Sequence, residues 1–120
     1  MTTWITENAI ANLYSAMTEM SIFDEFKLPP ASRVDFVIVD DISICGQYEP
    51  PEAGEPHVIT ISTAKCGHLD TVIKTLCHEI IHMICYLESP KTDKYTSHKG
   101  LFLKLQKRIA NNLGYDPKEL

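Results

Sequence analysis

The chain has 120 residues, of which 44% are hydrophobic and 22% charged, and its formal net charge is −5. These values are ordinary for a globular protein, and the length predicts a single domain (residues 1–120) with one modest core. The acidic balance, without a long run of Lys or Arg, gives no electrostatic reason to expect autonomous binding to nucleic acid. No apolar stretch reaches the length of a transmembrane helix, so we expect no membrane partner.

The first residues and the cysteines predict a cytoplasmic location. The sequence begins without a basic segment followed by an apolar run, so no secretory signal is visible. The cysteines show no C-x-x-C spacing, which favours free thiols in a reducing compartment over disulfides or a metal knuckle. They are Cys45, Cys66, Cys77 and Cys85.

The first half of the chain predicts one helix and three strands. Thr6 or Asn8 could cap a helix that runs to about Phe26. Its apolar face comprises Ile10, Leu13, Tyr14, Met17, Met20 and Phe23. Runs of β-branched or alternating apolar residues then predict strands at 33–39, 42–48 and 58–62. We expect these strands to form a small antiparallel sheet.

The second half predicts two helices. Asp70 is the candidate N-cap of a helix at 71–87, and Ser89-Pro90 follows its end. A last helix is predicted at 98–113, closed by Gly114. Its apolar face comprises Leu101, Phe102, Leu105, Ile109 and Leu113. The order helix, three strands, helix, helix indicates an α+β fold with the helices packed on the sheet.

The sequence His78-Glu79-Ile80-Ile81-His82 is the strongest functional signal in the chain. His78 and His82 are four residues apart, so a helix projects both from one face and both can reach one metal ion, usually Zn²⁺. Glu79 follows about 100° round the helix, where its carboxylate can handle the proton of a metal-bound water. H-E-x-x-H on a helix is the signature of the zincin metalloproteases, with the glutamate as general base.

The residues around this motif predict that it is buried. Apolar side chains recur at helical spacing on both sides of it, namely Val72, Ile73, Leu76, Cys77, Ile80, Ile81, Ile84 and Cys85. A helix this apolar lies in a core, where charged or imidazole groups are tolerated when they are paired or coordinate a metal. The surroundings therefore favour a metal site over a chance match on a solvated helix.

Catalytic zinc takes three protein ligands, so a third ligand should follow the histidine pair. Glu88 lies about 240° round the same helix from His82 and faces away. Glu119 is the penultimate residue of the sequence, where chains usually fray. His98 follows a loop long enough for the chain to turn back, at the predicted start of the next helix. Asp93 is a weaker alternative with suitable chemistry but no positional support.

The motif with His98, and Phe102 four residues later, resembles the SprT-like metallopeptidases, which include the Spartan proteases. The predicted strands at 42–48 and 58–62 are similar to the hairpin that precedes the active helix in that family. Two features differ. First, Lys99 stands where the family often has glycine, and the glycine, Gly100, comes next. Second, the sequence shows no C-terminal zinc ribbon, so the resemblance implies no nucleic-acid binding.

These observations predict a zinc-dependent metallopeptidase in which His78, His82 and His98 hold one Zn²⁺. A zinc-activated water attacks the peptide bond, and Glu79 is the general base. The substrate is a protein or peptide; DNA-associated proteins are implied by the resemblance alone. The strand at 58–62 could bind an extended substrate at its edge. Candidates for stabilising the transition state are Tyr95, His68 and Tyr48.

Three alternatives stay open. The chain could be a zinc-binding regulatory or interaction module without turnover, because it is short and shows no accessory domain. Metallopeptidases of the anti-repressor-cleaving type share the H-E-x-x-H helix, so the substrate could be of that kind. A structural zinc could instead be held by a different set, Cys45, His57, Cys66 and His68, although their spacing matches no standard pattern.

Overall fold

A computed structural model of the protein describes residues 5–65, 68–92 and 94–120. Those residues form an α+β fold of three α-helices and one three-stranded sheet, as predicted. The elements are α1 (Glu7–Thr18), β1 (Val34–Val39), β2 (Gly46–Glu49), β3 (His57–Ser62), α2 (Leu69–Glu88) and α3 (Leu101–Leu113). Short 3-10 turns lie at Ser21–Phe23, Ala31–Arg33, Lys94–Thr96 and Pro117–Glu119.

The sheet is mixed, so the expectation of an antiparallel sheet is only partly right. Its strand order is β1-β3-β2. β2 and β3 pair antiparallel, with Gly46 opposite Ile61, whereas β1 and β3 pair parallel, with Val34 opposite His57. The reason is that β2 reverses direction but does not pair with β1. β3 reverses again and fills the space between them, parallel to β1.

This strand order corrects the expected substrate edge. β3 is the central strand and pairs on both sides, so residues 58–62 have no free edge to offer. Among the described strands, β2 pairs only with β3, and its other edge pairs with no strand. The edge strand next to α2 is therefore β2.

Two predicted elements are shorter than expected. Thr6 caps α1, as predicted, but α1 ends at Thr18 instead of Phe26. The Thr18 hydroxyl donates to the Tyr14 carbonyl at 2.8 Å, a local bond that competes with helical pairing at this end. β2 likewise begins only after residue 45, because Asp41 accepts bonds from the backbone and hydroxyl of the residue two positions later and turns the chain.

The starts of α2 and α3 also differ from the prediction. His68, and not Asp70, is the N-cap residue of α2, and Asp70 lies in the first turn. α3 begins after Gly100, whose φ of 60° is a left-handed value that suits glycine, and not at His98. His98 therefore lies in the segment before α3. Gly114, with φ 83°, ends α3 in the left-handed conformation that was expected.

The core lies between the sheet and the helices, with α2 packed against β2, β3 and α3. The apolar residues around the histidine motif are buried as predicted, except Ile73, which is half-buried. Met20 and Leu101 were expected inside, but each is 41% exposed, because α1 ends before Met20 and Leu101 begins α3 on its outer side. Within the described ranges, no helix combines the length and the apolar character needed to span a bilayer.

Candidate metal centre

Three histidines from two parts of the chain converge on one point. His78 and His82 project from the same face of α2, one turn apart, and the segment before α3 brings His98 to them. The Nε2 atom of His78 lies 3.2 Å from that of His82 and 3.2 Å from that of His98. The Nε2 atoms of His82 and His98 are 3.1 Å apart. We refer to these three residues as the histidine triad.

The donor set of the triad fits a metal ion. Nitrogen ligands at the usual zinc distance, in a tetrahedral arrangement, would lie about 3.3–3.4 Å from one another. The observed separations of 3.1–3.2 Å are only slightly shorter. The three histidines thus lie close enough together to bind one ion through Nε2, as the sequence predicted.

Hydrogen bonds behind two of the rings fix their tautomers. The Nδ1 of His78 lies 2.8 Å from the carbonyl oxygen of Leu120, and the Nδ1 of His82 lies 2.5 Å from that of Tyr95. A carbonyl oxygen can only accept, so each Nδ1 carries the proton and donates it. Each Nε2 then presents a lone pair toward the centre of the triad, which is the form that binds a metal.

Phe102 packs against the whole triad. The centroid of its ring lies 5.0 Å from that of His78, 4.7 Å from that of His82 and 4.9 Å from that of His98. Its side chain is only 1% exposed. One buried aromatic ring therefore limits the rotation of all three imidazoles and excludes water from that side of the centre.

Burial sets the charge of the groups at the centre. It lowers the pKa of His82 to about 4 and also lowers that of His78, although the bond to a backbone carbonyl opposes the shift in each case. Both rings are therefore neutral near pH 7. Glu79 is 4% exposed, and burial raises the pKa of its carboxyl to about 8. A cation bound to the triad would lower that pKa, because an opposite charge favours the carboxylate.

Glu79 lies in the middle of a cleft between α2 and β2. The cleft consists of two adjoining cavities, of about 330 and 340 Å³, which share Gly46, His78 and Glu79. The first is lined further by Cys45, Lys74, Thr75, Lys118, Glu119 and Leu120. The second is lined further by Gln47, Tyr48, Glu49, His82, Tyr95, Thr96 and His98. The cleft therefore runs along β2 past both Glu79 and the triad.

Gly46 allows β2 to lie this close to the centre. A Cβ atom at this position would lie 2.7 Å from Cγ2 of Thr75, 2.8 Å from the carbonyl oxygen of Thr60 and 3.2 Å from Oε2 of Glu79. The first two distances are shorter than van der Waals contact, and one of them is to backbone that cannot move away cheaply. Any larger residue would push β2 away from α2 at the position of Glu79.

The candidates for stabilising the transition state are not equivalent in the structure. Tyr48 and Tyr95 line the cleft. The Tyr48 hydroxyl lies 2.7 Å from Nδ1 of His57, and its ring packs edge-on against Tyr95. His68 instead stands at the start of α2, ten residues before His78 and thus about 15 Å away along the helix. The structure thus places Tyr48 and Tyr95 along the cleft that contains the triad and leaves His68 outside it.

The alternative structural zinc site is not assembled. Ser62, at the end of β3, donates to the carbonyl oxygen of Cys45, whereas His57 begins β3. Five residues of extended strand separate these positions by about 17 Å, so Cys45 and His57 cannot share an ion. Cys66 of the same set lies outside the described residues, as does Asp93, the alternative third ligand. In the described part of the chain, the histidine triad is the one cluster of three or more suitable ligands.

Sequence reasoning missed the contribution of residues 118–120. Glu119 was expected at a frayed end, but its carboxylate pairs with Nζ of Lys74 at 2.9 Å and it lines the cleft. Leu120 is buried beside the triad. The available signal was a single apolar residue after a polar run, which does not say where the side chain packs.

Comparisons with known proteins add no assignment. No family model, no curated protein and no solved structure matches this chain. The resemblance to SprT-like metallopeptidases therefore stays a prediction.

Proposed function

We propose that the protein is a zinc-dependent metallopeptidase in which His78, His82 and His98 hold Zn²⁺ and Glu79 is the general base. The observation that supports this most is the convergence of three imidazole Nε2 atoms within 3.2 Å, next to a buried carboxyl group in an open cleft. A purely structural metal site does not need an acid-base group beside it.

Zinc, when bound, would activate water as a nucleophile and polarise the scissile carbonyl group. Glu79 accepts the proton that the water loses as its oxygen attacks the carbonyl carbon. The carboxylic acid then donates this proton to the nitrogen of the leaving amine as the C–N bond breaks. Burial of Glu79 favours its protonated form, which helps the side chain to retain the proton between the two steps.

Substrate binding is assigned to β2 and the cleft beside it. An extended peptide could pair with the open edge of β2 and so pass Glu79 and the triad. Tyr48 and Tyr95 line the same part of the cleft and are the candidates to donate a hydrogen bond to the oxyanion. The unpaired edge of β2 is what favours a protein or peptide substrate, and the net charge of −5 gives no separate support for DNA-associated ones.

The resemblance to SprT-like metallopeptidases supports the same proposal. The family pattern includes Phe102, four residues after His98, and in this fold the Phe102 ring packs against all three imidazoles. The pattern thus has a physical reason here. DNA-associated proteins, as implied by this family, and anti-repressors, as implied by the other peptidases with this motif, are the two substrate kinds to test first.

The proposal is tested by metal analysis together with cleavage of a denatured protein. We expect one zinc per chain in the wild type and in Glu79→Gln, but cleavage by the wild type alone. Glu88→Gln, at the exposed end of α2, is the matched control and should cleave normally. Equal cleavage by the wild type and Glu79→Gln would overturn the mechanism. Zinc without cleavage of any substrate would instead favour a regulatory or interaction module.

A further inference from the structure

Residues 115–120 return from the end of α3 to the first turns of α2, and polar contacts hold them there. The Tyr115 hydroxyl donates to Oδ1 of Asp70 at 2.9 Å. Glu119 pairs with Lys74 at 2.9 Å, and Lys74 pairs with Asp70 at 3.0 Å. Nζ of Lys74 also lies 5.4 Å from the centre of the Tyr115 ring. We call residues 115–120 the return segment.

Leu120 connects the return segment to the metal centre. Its side chain is 5% exposed and belongs to the hydrophobic core. Its carbonyl oxygen accepts from Nδ1 of His78 at 2.8 Å and from Nε2 of Gln106, on α3, at 3.0 Å. Two helices therefore fix the position of this oxygen, and the oxygen in turn fixes the imidazole.

The return segment also bounds the cleft in front of the same histidine. Lys118, Glu119 and Leu120 line the cavity that contains His78 and Glu79. The segment thus contacts His78 through Nδ1 and also forms a wall of the first cavity, which His78 and Glu79 line as well. Displacing the segment would therefore do two things at once: it would release the imidazole of His78, and it would widen the first cavity.

We propose that the return segment is a positioning clasp for His78: the backbone oxygen of Leu120 holds the imidazole in its metal-binding tautomer, and the Lys74–Glu119 pair keeps the segment closed over one end of the cleft. This inference rests on the zinc site of the proposed function but not on its peptidase activity. Leu120 and Glu119 are positioning residues, because they act on the metal through His78 or through the segment.

The expected size of the effect follows from outer-shell partners of metal ligands in general. Loss of such a partner costs about 10–100-fold in metal affinity. Burial of Leu120 should contribute more than the ion pair, because the side chains of Lys74 and Glu119 are 23% and 53% exposed and solvent weakens their attraction. The clasp should therefore open more completely when Leu120 is changed than when Glu119 is changed.

The experiment compares Leu120→Asp, Leu120→Ala and Glu119→Gln in the full chain, with Leu103→Asp as the control at an exposed leucine. Zinc affinity is measured by competition with a chelator. We expect losses of about 10–100-fold for Leu120→Asp and smaller losses for the other two variants of the segment, with Leu103→Asp unchanged. Leu120→Ala is the milder change, and its zinc affinity tests the clasp if Leu120→Asp does not fold.

A second measurement reads the tautomer directly in the metal-free protein. Nitrogen-15 spectra at mildly alkaline pH, where both rings are neutral, distinguish a proton on Nδ1 from one on Nε2. His78 should carry it on Nδ1 in the wild type and as a mixture of tautomers in the Leu120 variants. His82, held by Tyr95, should not change and is the internal reference.

The outcomes separate the clasp from the proposed function. Unchanged zinc affinity and an unchanged His78 tautomer in folded Leu120 variants would overturn the clasp, even if the protein cleaves peptides. A shifted tautomer and weaker zinc binding would support the clasp, even if no peptidase activity is found. If the wild type binds no zinc, the proposed function fails, and an unchanged tautomer in the variants would overturn the clasp as well.

Discussion

The two ends of the cleft are built from different interactions. One end is bounded by an aromatic cluster of Tyr48, His57, Tyr86 and Tyr95, in which the centroid of each ring lies within 6.3 Å of the centroids of at least two others. The other is bounded by the return segment, where ion pairs of Asp70, Lys74 and Glu119 in contact with solvent add to the burial of Leu120. Aromatic packing is insensitive to salt, whereas exposed ion pairs are screened. We infer that the aromatic end is the rigid one and that the return segment is the adjustable one.

The largest effect is expected at Phe102, whose ring packs against all three histidines of the triad between the two ends. Phe102→Ala should lower the free energy of unfolding by about 3–5 kcal/mol, because it leaves a cavity at a fully buried site. It should also weaken zinc binding, since all three imidazoles lose their support. Chemical denaturation and chelator competition measure the two effects. Phe102→Leu, which keeps most of the volume, is the control, and equal zinc affinity in Phe102→Ala would contradict the supporting role.

A pH experiment on the metal-free protein tests the group in the middle of the cleft. The pKa of Glu79 is raised from its ordinary 4.5 to about 8, so the folded state holds a proton that the unfolded state has lost. As the pH rises from 4.5 to about 8, the free energy of unfolding of the wild type should therefore fall by up to about 1.4 kcal/mol per pH unit. Below pH 4.5 the wild type keeps its full stability. Glu79→Gln cannot titrate and lacks this loss.

Denaturation of both proteins between pH 4.5 and about 8 measures the difference in their free energies of unfolding. Titration of the histidines affects both proteins and so cancels in this difference. With rising pH this difference should change by a few kcal/mol in favour of Glu79→Gln, and the change should be complete near pH 8. A constant difference between the two proteins would show that the carboxyl is not held in its protonated form by burial.

Gly46→Ala should move β2 away from α2 at the point where the two ends join. The added methyl group meets backbone at 2.8 Å, and overpacking of this kind costs about 1–3 kcal/mol of stability. Under the proposed function it should also reduce kcat/KM for a peptide, because the edge of β2 shifts relative to Glu79. Gly54→Ala, in the turn before β3, meets no neighbouring atom but strains the backbone at a φ of 78°, so it is the comparison for turnover and not for stability. Normal turnover by Gly46→Ala would contradict this placement of the substrate.

Tyr48→Phe tests the aromatic end alone. It removes a hydroxyl that lies 2.7 Å from His57 and should cost about 1–2 kcal/mol of stability, with the same value at low and high salt. Zinc affinity should not change. If the hydroxyl also stabilises the oxyanion, kcat falls while KM stays constant. A loss that depends on salt would contradict the contrast between the two ends.

Lys74→Met should have the smallest effect, because it breaks two ion pairs that solvent screens and one contact with the Tyr115 ring. We expect a loss of no more than about 1 kcal/mol, which disappears in high salt. Lys107→Met, an exposed lysine on α3, controls for the loss of a positive charge. Equal losses at low and high salt would show that the ion pairs do not hold the segment.

The histidine triad was predictable because its geometry is mostly local. Helical spacing alone places His78 and His82 on one face, and burial of the apolar flanks follows from the same periodicity. His98 required one further step, the length of the loop that returns the chain. The structure brings all three together, although His98 precedes α3 instead of beginning it, because Gly100 separates the two.

The lateral order of the strands was not predictable from the pattern. Alternation of apolar residues tells which face of a strand is buried, but not which strand is its neighbour. The sequence therefore predicted three strands and gave the wrong edge, 58–62, for a substrate. The outer supports of the triad were missed for a similar reason. They are backbone carbonyls of Tyr95 and Leu120, and any residue type carries a carbonyl.

The position of Phe102 links the metal centre to the mechanics of the helices. Two of the triad histidines belong to α2, whereas Phe102 belongs to α3 and His98 precedes it directly. An ion bound by the three histidines of the triad would link α2 to the start of α3, with the Phe102 ring packed between the two helices. Binding of zinc should then slow amide hydrogen exchange along α3, including turns remote from the ion. The exchange rate of a helix that supplies no ligand would therefore report whether the metal is bound.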